Sequence, residues 1–203
     1  MQGNVTVILR GYTYELVRLV CEVLTESKHV KNVEITMNTE GAVETIEKIV
    51  KEFKGKLSIG AGTVVNLHDL SLVGPLGIEF ALSPIGFTED MHAYCRKHNI
   101  DAIPAAFTPT EIWHQYELGA KYIKIFPANE LSHSYAKKVC EPLGKLPLMA
   151  VGGVNATNVK EILTSGGYAA VGSAGGIFKK EDIKSLNKEG LKASLEAFEA
   201  QLD

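Results

Sequence analysis

The chain has 203 residues, of which 45% are hydrophobic and 22% charged, and its net charge is −3. This length and composition are typical of a soluble globule with a full core, and we predict a single domain over residues 1–203. The slight acidity argues against nucleic acid as a partner, because binding nucleic acid usually requires a basic surface.

The cysteines and histidines give no sign of a metal centre. Cys21, Cys95 and Cys140 are widely spaced and contain no C-x-x-C pair, which argues against both structural zinc and a disulfide framework. The six histidines show no metal-ligand spacing. No leader-like segment and no apolar run of bilayer length is present. We therefore expect a cytoplasmic protein with no metal, no cofactor and no membrane partner.

Short apolar runs alternate with amphipathic stretches along the whole chain. The runs that we predict to be strands are 5–11, 32–38, 56–62, 78–84, 100–106, 121–127, 146–153 and 168–174. The stretches with helical periodicity are 13–24, 42–53, 91–99, 111–119 and 158–167. The final segment, 181–203, is predicted to be a helix with a break at Gly190.

This alternation predicts an α/β fold with a parallel sheet. Eight strand–helix units most simply close into a (β/α)₈ TIM barrel. The alternative is a doubly wound open sheet. That fold would normally carry a glycine-rich dinucleotide loop after its first strand, and Arg10-Gly11-Tyr12 is not such a loop.

Three charged side chains lie at or near the carboxyl ends of the predicted strands, where the active sites of such barrels are found. They are Arg10, Glu34 and Lys124. Lys124 shares one strand face with Tyr122 and Phe126, so the predicted fold buries its amine. A buried ammonium is costly unless it is paired or neutral. A purely structural set of ion pairs is the alternative to a catalytic role.

The chemistry of these three side chains suggests a reaction on a keto acid. A neutral lysine amine can attack a ketone and form a Schiff base, which then acts as an electron sink. Burial lowers the pKa of Lys124 towards neutrality, although a nearby Glu34 opposes this by stabilising the charge. Glu34 can transfer protons between intermediates, and Arg10 suits a substrate carboxylate.

Glycines follow the last two predicted strands at Gly152-Gly153 and around Gly172-Ser173. Loops at these positions of a barrel commonly bind phosphate through backbone N–H groups, and glycine lets the backbone approach the ligand closely. The alternative is that these glycines only serve tight turns.

A series of motifs through nearly the whole chain resembles the class I aldolases for 2-keto-3-deoxy-6-phosphogluconate (KDPG) and 4-hydroxy-2-oxoglutarate (KHG). The motifs are ILRG (8–11), VEITMNT (33–39), IGAGTV (59–64), LSP (82–84), I-P-x-x-x-T-P-T-E (103–111), KIFPA (124–128) and VGGV (151–154). Their combination in this order is specific, whereas a single glycine motif would be weak.

The resemblance implies roles for individual residues. Lys124 corresponds to the Schiff-base lysine and Glu34 to the general acid/base. The residues that the resemblance places around the substrate are Arg10, Thr63, Pro84 and Phe126, with Gly152, Gly153, Gly172 and Ser173 at the phosphate. It also implies a metal-independent homotrimer acting on a small-molecule substrate.

The sequence departs from the most common family pattern at several places, and the I-P-G loop, for example, becomes Pro104-Ala105-Ala106. Asn38 in TMNT and Val151 in AVGGV are closer to the 6-phosphogalactonate-type members, and Val151 lacks a threonine hydroxyl. Ser173-Ala174 leaves the position of the phosphate-binding serine ambiguous by one residue.

The expected reaction is the cleavage of KDPG, or of its galactonate epimer, to pyruvate and glyceraldehyde 3-phosphate. Cleavage of 4-hydroxy-2-oxoglutarate to pyruvate and glyoxylate is one alternative. A non-catalytic sugar-phosphate-binding barrel, or an isomerase, is another.

Overall fold

The computed structural model describes residues 1–203 and contains nine parallel strands in one curved sheet. The strands are β1 (Val5–Leu9), β2 (Asn32–Thr36), β3 (Ser58–Gly62), β4 (Phe80–Leu82), β5 (Asp101–Ile103), β6 (Ala105–Ala106), β7 (Ile123–Ile125), β8 (Leu148–Val151) and β9 (Ala170–Ser173). Their order in the sheet is β5-β4-β3-β2-β1-β9-β8-β7-β6.

Helices connect the strands and cover the outside of the sheet. They are α1 (Tyr14–Leu24), α2 (Ala42–Phe53), α3 (Leu67–Val73), α4 (Glu89–His98), α5 (Pro109–Glu117), α6 (Tyr135–Leu143), α7 (Val159–Thr164), α8 (Lys180–Lys184) and α9 (Lys188–Glu199). Two short 3₁₀ turns span Gly74–Leu76 and Ala128–Glu130. None of the helices combines the length and the apolar character needed to cross a bilayer.

The sheet closes at Pro104, which divides the predicted strand 100–106 into β5 and β6. Proline has no N–H to contribute to a strand ladder, so the regular pairing is interrupted there. Across this seam, the amide of Lys121 donates to the carbonyl of Ala102 at 2.9 Å, and that of Lys124 donates to the carbonyl of Pro104 at 2.8 Å. The predicted TIM barrel is confirmed, and the doubly wound open sheet is wrong.

Side chains alternate between the two faces of each strand, and this alternation produces two separate apolar layers. Val5, Val7 and Leu9 of β1 belong to a cluster of 46 buried residues between the sheet and the helices. Ile8 faces the other way, into a cluster of seven residues inside the barrel. Because side chains alternate along a strand, the parity that places Ile8 inside also decides which polar residues face the interior.

The helices differ from the predicted ones in two respects. Two of them, α3 and α6, lie in connections for which the sequence indicated no specific helical stretch. The predicted break at Gly190 is wrong, because Gly190 lies within α9 and the break falls at Leu186, whose φ is 55°. A Cβ at Gly190 would lie 2.4 Å from Asp182 Oδ1, so this glycine permits close packing instead of ending the helix.

Candidate active site

Lys124 lies in the middle of β7 and is only 3% exposed. Tyr122 and Phe126, on the same strand face, both pack against the apolar cluster inside the barrel. The Nζ atom lies 4.5 Å from the centroid of the Phe126 ring. Burial lowers the pKa of Lys124, with Glu34 raising it and Arg10 lowering it to smaller extents. This is the direction that favours a neutral, nucleophilic amine.

Glu34 lies on β2 and is 1% exposed. Its Oε2 atom is buried and has no hydrogen-bond partner. Gly62 on the neighbouring strand makes room for it, because a Cβ at Gly62 would lie 1.6 Å from Glu34 Oε1. The second glycine of the Gly60-Ala61-Gly62-Thr63 motif therefore accommodates the carboxyl group of Glu34.

The burial of Glu34 determines its protonation. Burial raises the pKa of Glu34 to about 7, and the positive charges of Lys124 and Arg10 oppose this increase. A carboxyl group that titrates near neutrality can both donate and accept a proton under ordinary conditions. A buried acid and a buried amine, each shifted towards the neutral form and coupled to one another, are typical of catalytic sites.

A cavity of about 530 Å³ opens at the carboxyl ends of the strands. It is lined by the ends of β1, β7, β8 and β9 and by the loops that follow them. Of the ten residues predicted for the site, five line this cavity: Arg10, Lys124, Phe126, Gly152 and Gly153. Arg10 is exposed at its edge and makes no ion pair, so its guanidinium is free for an anion.

A larger groove, of about 690 Å³, lies at the opposite end of the barrel, beside Asn4, Leu146 and Ala169. Each of these residues precedes a strand. The catalytic groups of such barrels come from the carboxyl ends of the strands, so the smaller cavity is the better candidate.

The Gly152–Gly153 turn depends on its glycines. Both residues adopt left-handed backbone conformations, with φ of 114° and 71°. A Cβ at Gly152 would lie 2.7 Å from Asn129 Oδ1. The backbone N–H groups of both glycines make no hydrogen bond within the chain. They are therefore available to a ligand.

The remaining predicted residues do not line the cavity. Thr63 and Pro84 are half-buried and follow β3 and β4 at the same end of the barrel. Gly172 faces the interior, where a Cβ would lie 2.9 Å from Val151 Cγ2. The Ser173 hydroxyl donates to the carbonyl of Val154 at 2.8 Å and accepts from an amide three residues later. The Ser173 hydroxyl therefore stabilises the turn after β9.

Sequence reasoning missed several lining residues, among them Tyr12, Val154, Asn155 and Lys180. Burial raises the pKa of the Tyr12 hydroxyl. Tyr12 lies only two residues after Arg10, in the loop that follows β1. Its closeness in sequence to a predicted site residue could have indicated that it lines the cavity. No group of three or more histidine, cysteine, aspartate or glutamate side chains is arranged to bind a metal ion.

The family model described as "Aldolase: KDPG and KHG aldolase" matches residues 4–193. The 2-dehydro-3-deoxy-phosphogluconate aldolase of Dickeya dadantii is 32% identical over 146 residues, covering 71% of this chain and 68% of the relative. The probable 2-dehydro-3-deoxy-6-phosphogalactonate aldolase of Rhizobium meliloti is 31% identical over 173 residues, covering 85% and 78%.

A solved structure has a closely similar fold. It is the KDPG aldolase of Legionella pneumophila with pyruvate captured at low pH as a covalent carbinolamine intermediate. It matches with a TM-score of 0.84 and 25% identity, over 98% of this chain and 93% of that one. The match of the family model to almost the whole chain, together with these relatives, shows that the protein belongs to the family of KDPG and KHG aldolases, which are carbon–carbon lyases.

Proposed function

We propose that this protein is a class I aldolase that cleaves KDPG, or its galactonate epimer, to pyruvate and glyceraldehyde 3-phosphate. The observation that carries the proposal is the buried Lys124 amine, which lines the cavity and is coupled to the buried carboxyl group of Glu34. The named relatives and the pyruvate adduct of the Legionella enzyme support it. They also favour catalysis over a purely binding barrel or an isomerase.

The reaction begins when the neutral Lys124 amine attacks the keto carbon of the substrate. A proton passes from the nitrogen to the former keto oxygen to give the carbinolamine. Glu34 then protonates the carbinolamine hydroxyl, which leaves as water, and the nitrogen lone pair forms a protonated imine. A base then removes the proton of the C4 hydroxyl, the C3–C4 bond breaks, and its electron pair moves into the imine to form an enamine. The aldehyde product leaves. Protonation of the enamine at C3 and hydrolysis of the imine release pyruvate and restore the amine.

The other site residues position the substrate. Arg10 binds the carboxylate next to the keto carbon by charge-assisted hydrogen bonds. Phe126 forms a wall beside the reacting carbons, while Thr63 and Pro84 lie outside the cavity at the same end of the barrel. At the distal end of the substrate, the free amides of Gly152 and Gly153 bind the phosphate, while Gly172 and Ser173 shape the adjoining turn.

A second candidate is an aldolase for 4-hydroxy-2-oxoglutarate. One observation favours it: no serine or threonine lines the cavity, so a phosphate would lack the hydroxyl donors that often bind it. Comparing kcat/KM for KDPG, its galactonate epimer and 4-hydroxy-2-oxoglutarate distinguishes the candidates. We also propose that the protein assembles as a homotrimer.

The mechanism predicts that borohydride in the presence of pyruvate traps a covalent adduct on Lys124, because reduction fixes the imine. Peptide mass spectrometry locates the adduct. Lys124→Ala should abolish both the adduct and turnover, whereas Lys121→Ala, at an exposed lysine three residues earlier, should retain both. Normal turnover in Lys124→Ala would rule out the mechanism.

A further inference from the structure

Lys180 adds a positive charge to the cavity, and it belongs to none of the sequence motifs that resemble the family. It is the first residue of α8, and it is one of the residues that line the cavity, together with Arg10 and the Gly152–Gly153 turn. It is exposed. It makes no ion pair, although the next two residues, Glu181 and Asp182, are acidic. Its ammonium group is therefore free to bind an anion.

The charged residues that line the cavity are all basic. Its lining includes the basic side chains of Arg10, Lys124 and Lys180, and it includes no aspartate or glutamate. In the proposed mechanism Lys124 attacks the keto carbon, and Arg10 binds the adjacent carboxylate. That leaves Lys180 as the basic side chain of the lining without an assigned role. Such an arrangement suits a substrate with a second anionic group.

No serine or threonine hydroxyl lines the cavity. The Ser173 hydroxyl is occupied by the turn, donating to the carbonyl of Val154 and accepting from the amide of Gly176. Val151 and Ala174 present only apolar side chains. The neutral amides of Gly152 and Gly153 would therefore have to hold a doubly charged phosphate without a neighbouring charge.

We propose that Lys180 determines specificity by binding the terminal phosphate of the substrate, in concert with the amides of the Gly152–Gly153 turn. This inference rests on the proposed function and deepens it. A lysine ammonium is a compact, flexible point charge with three donors, and it can reach a phosphate whose other oxygens accept from backbone amides. The interaction strengthens the binding of a substrate that ends in a charged phosphate. It does not strengthen the binding of a substrate that ends in a neutral hydroxymethyl group.

The experiment compares Lys180→Met with Lys179→Met. Lys179 is an equally exposed neighbour that does not line the cavity, so it serves as the matched control. For Lys180→Met we expect kcat/KM for KDPG or its galactonate epimer to fall about tenfold to a hundredfold, the usual effect of losing a charge-assisted hydrogen bond. The value for unphosphorylated 2-keto-3-deoxygluconate should stay unchanged. Lys180→Arg should restore most of the loss, and Lys179→Met should resemble the wild type.

Two further measurements separate this inference from the proposed function. Borohydride trapping with pyruvate should be equally efficient in Lys180→Met and wild type, because pyruvate has no phosphate. Failure of trapping in the wild type would contradict the Schiff-base mechanism, not the role of Lys180. Thermal stabilisation by inorganic phosphate, which requires no turnover, should be lost in Lys180→Met and kept in Lys179→Met. Equal losses on phosphorylated and unphosphorylated substrates, or a loss confined to 4-hydroxy-2-oxoglutarate, would overturn the assignment to phosphate.

Discussion

Glu34 and Lys124 are both buried inside the barrel, and burial moves their pKa values towards each other. Burial raises the pKa of Glu34 to about 7 and lowers that of Lys124 from its ordinary value. Each charge partly offsets the desolvation of the other, so neither group is strongly held in its ionised form. Changing one residue should therefore alter both the proton transfer and the titration of the other.

Glu34→Gln should slow the proton transfers more than it limits the final yield of imine. The variant should still reach the imine with pyruvate, although more slowly because the departing hydroxyl loses its acid, and hydrogen–deuterium exchange at pyruvate C3 should slow by about a hundredfold or more, the usual contribution of a general acid/base. Because Glu34 raises the pKa of Lys124, its removal should also extend imine formation to lower pH. Borohydride trapping and NMR-detected exchange measure the two effects. Exchange that stays as fast as in the wild type would exclude Glu34 as the acid/base.

The same substitution should stabilise the fold at neutral and alkaline pH. The pKa of Glu34 is raised from 4.5 to about 7, so its contribution to stability is present below about pH 4.5 and is lost as pH rises through 7. Glutamine stays neutral throughout. Above pH 7, the free energy of unfolding of Glu34→Gln should therefore be about 3 kcal/mol higher than that of the wild type. Near pH 4 the two free energies should be equal.

Urea unfolding at several pH values measures this difference. Glu141→Gln, at an exposed glutamate on α6, is the control and should show no comparable pH-dependent gain. A Glu34→Gln variant less stable than the wild type at pH 8 would contradict the raised pKa.

At the residue scale, strand parity made the inward orientation of Glu34 and Lys124 predictable. The same parity shows why Gly172 and Ser173 cannot face one ligand together, since adjacent strand residues point to opposite faces. Lys180 could not be predicted in this way, because it comes from a short helix and reaches the cavity only through the path of the loop after β9.

At the scale of elements, Gln115 of α5 connects the loop after β4 to α4. Its side-chain oxygen accepts from the amide of Phe87 at 3.2 Å and lies 2.9 Å from Nε2 of the buried His92. Its side-chain nitrogen donates to the carbonyl of Phe87 at 3.1 Å. This loop also carries Pro84, so we infer that the α4–α5 pair holds the loop after β4 in place.

Gln115→Leu should destabilise the protein by about 2–4 kcal/mol, because it leaves several buried polar groups without partners. Urea unfolding measures the loss. Gln201→Leu, at an exposed glutamine near the end of the chain, should change stability by less than about 0.5 kcal/mol. If the two variants were equally stable, the buried hydrogen bonds of Gln115 would contribute nothing measurable.

Sequence periodicity predicted the long elements better than the short ones. The amphipathic patterns of α1 and α2 cover several turns, whereas α3 has seven residues and α6 contains Pro142. The periodic stretch 111–119 begins two residues after the first residue of α5, Pro109, and the capping box of Thr108 and Glu111 is the sequence signal that marks the earlier start. Gly190 was misleading, since its role is to allow close packing against Asp182 and depends on tertiary structure.

At the scale of the whole molecule, an apolar surface lies on and beside α5. Its residues are exposed, at 39% for Phe107, 37% for Trp113 and 42% for Tyr116. The rings of Trp113 and Tyr116 lie 5.5 Å apart. Exposed clusters of this kind often mark interfaces, so we expect the proposed homotrimer to bury this surface.

Sedimentation equilibrium should give three times the chain mass of 22.0 kDa for the wild type. Trp113→Glu should dissociate the assembly, because it places a charge in an apolar contact. Leu186→Glu, at an equally apolar and 53% exposed site near α9, should leave the mass unchanged. A wild type that sediments as a monomer would exclude the trimer.

The overall barrel was predictable because eight regular alternations admit few topologies. The division of the fifth strand was harder to foresee, since a proline can end a strand or interrupt it, and only the pairing partners decide between these outcomes.

The seam at Pro104 links the integrity of the sheet to the reactivity of a single atom. The amide of Lys124 donates the bond to the carbonyl of Pro104 that helps to close the barrel, and the amine of the same residue is the proposed nucleophile. Any fluctuation that parts these strands would also move the amine away from Glu34 and admit water around it. The amine would then regain its ordinary basicity, so opening of the barrel at the seam would also remove the nucleophile from the reaction.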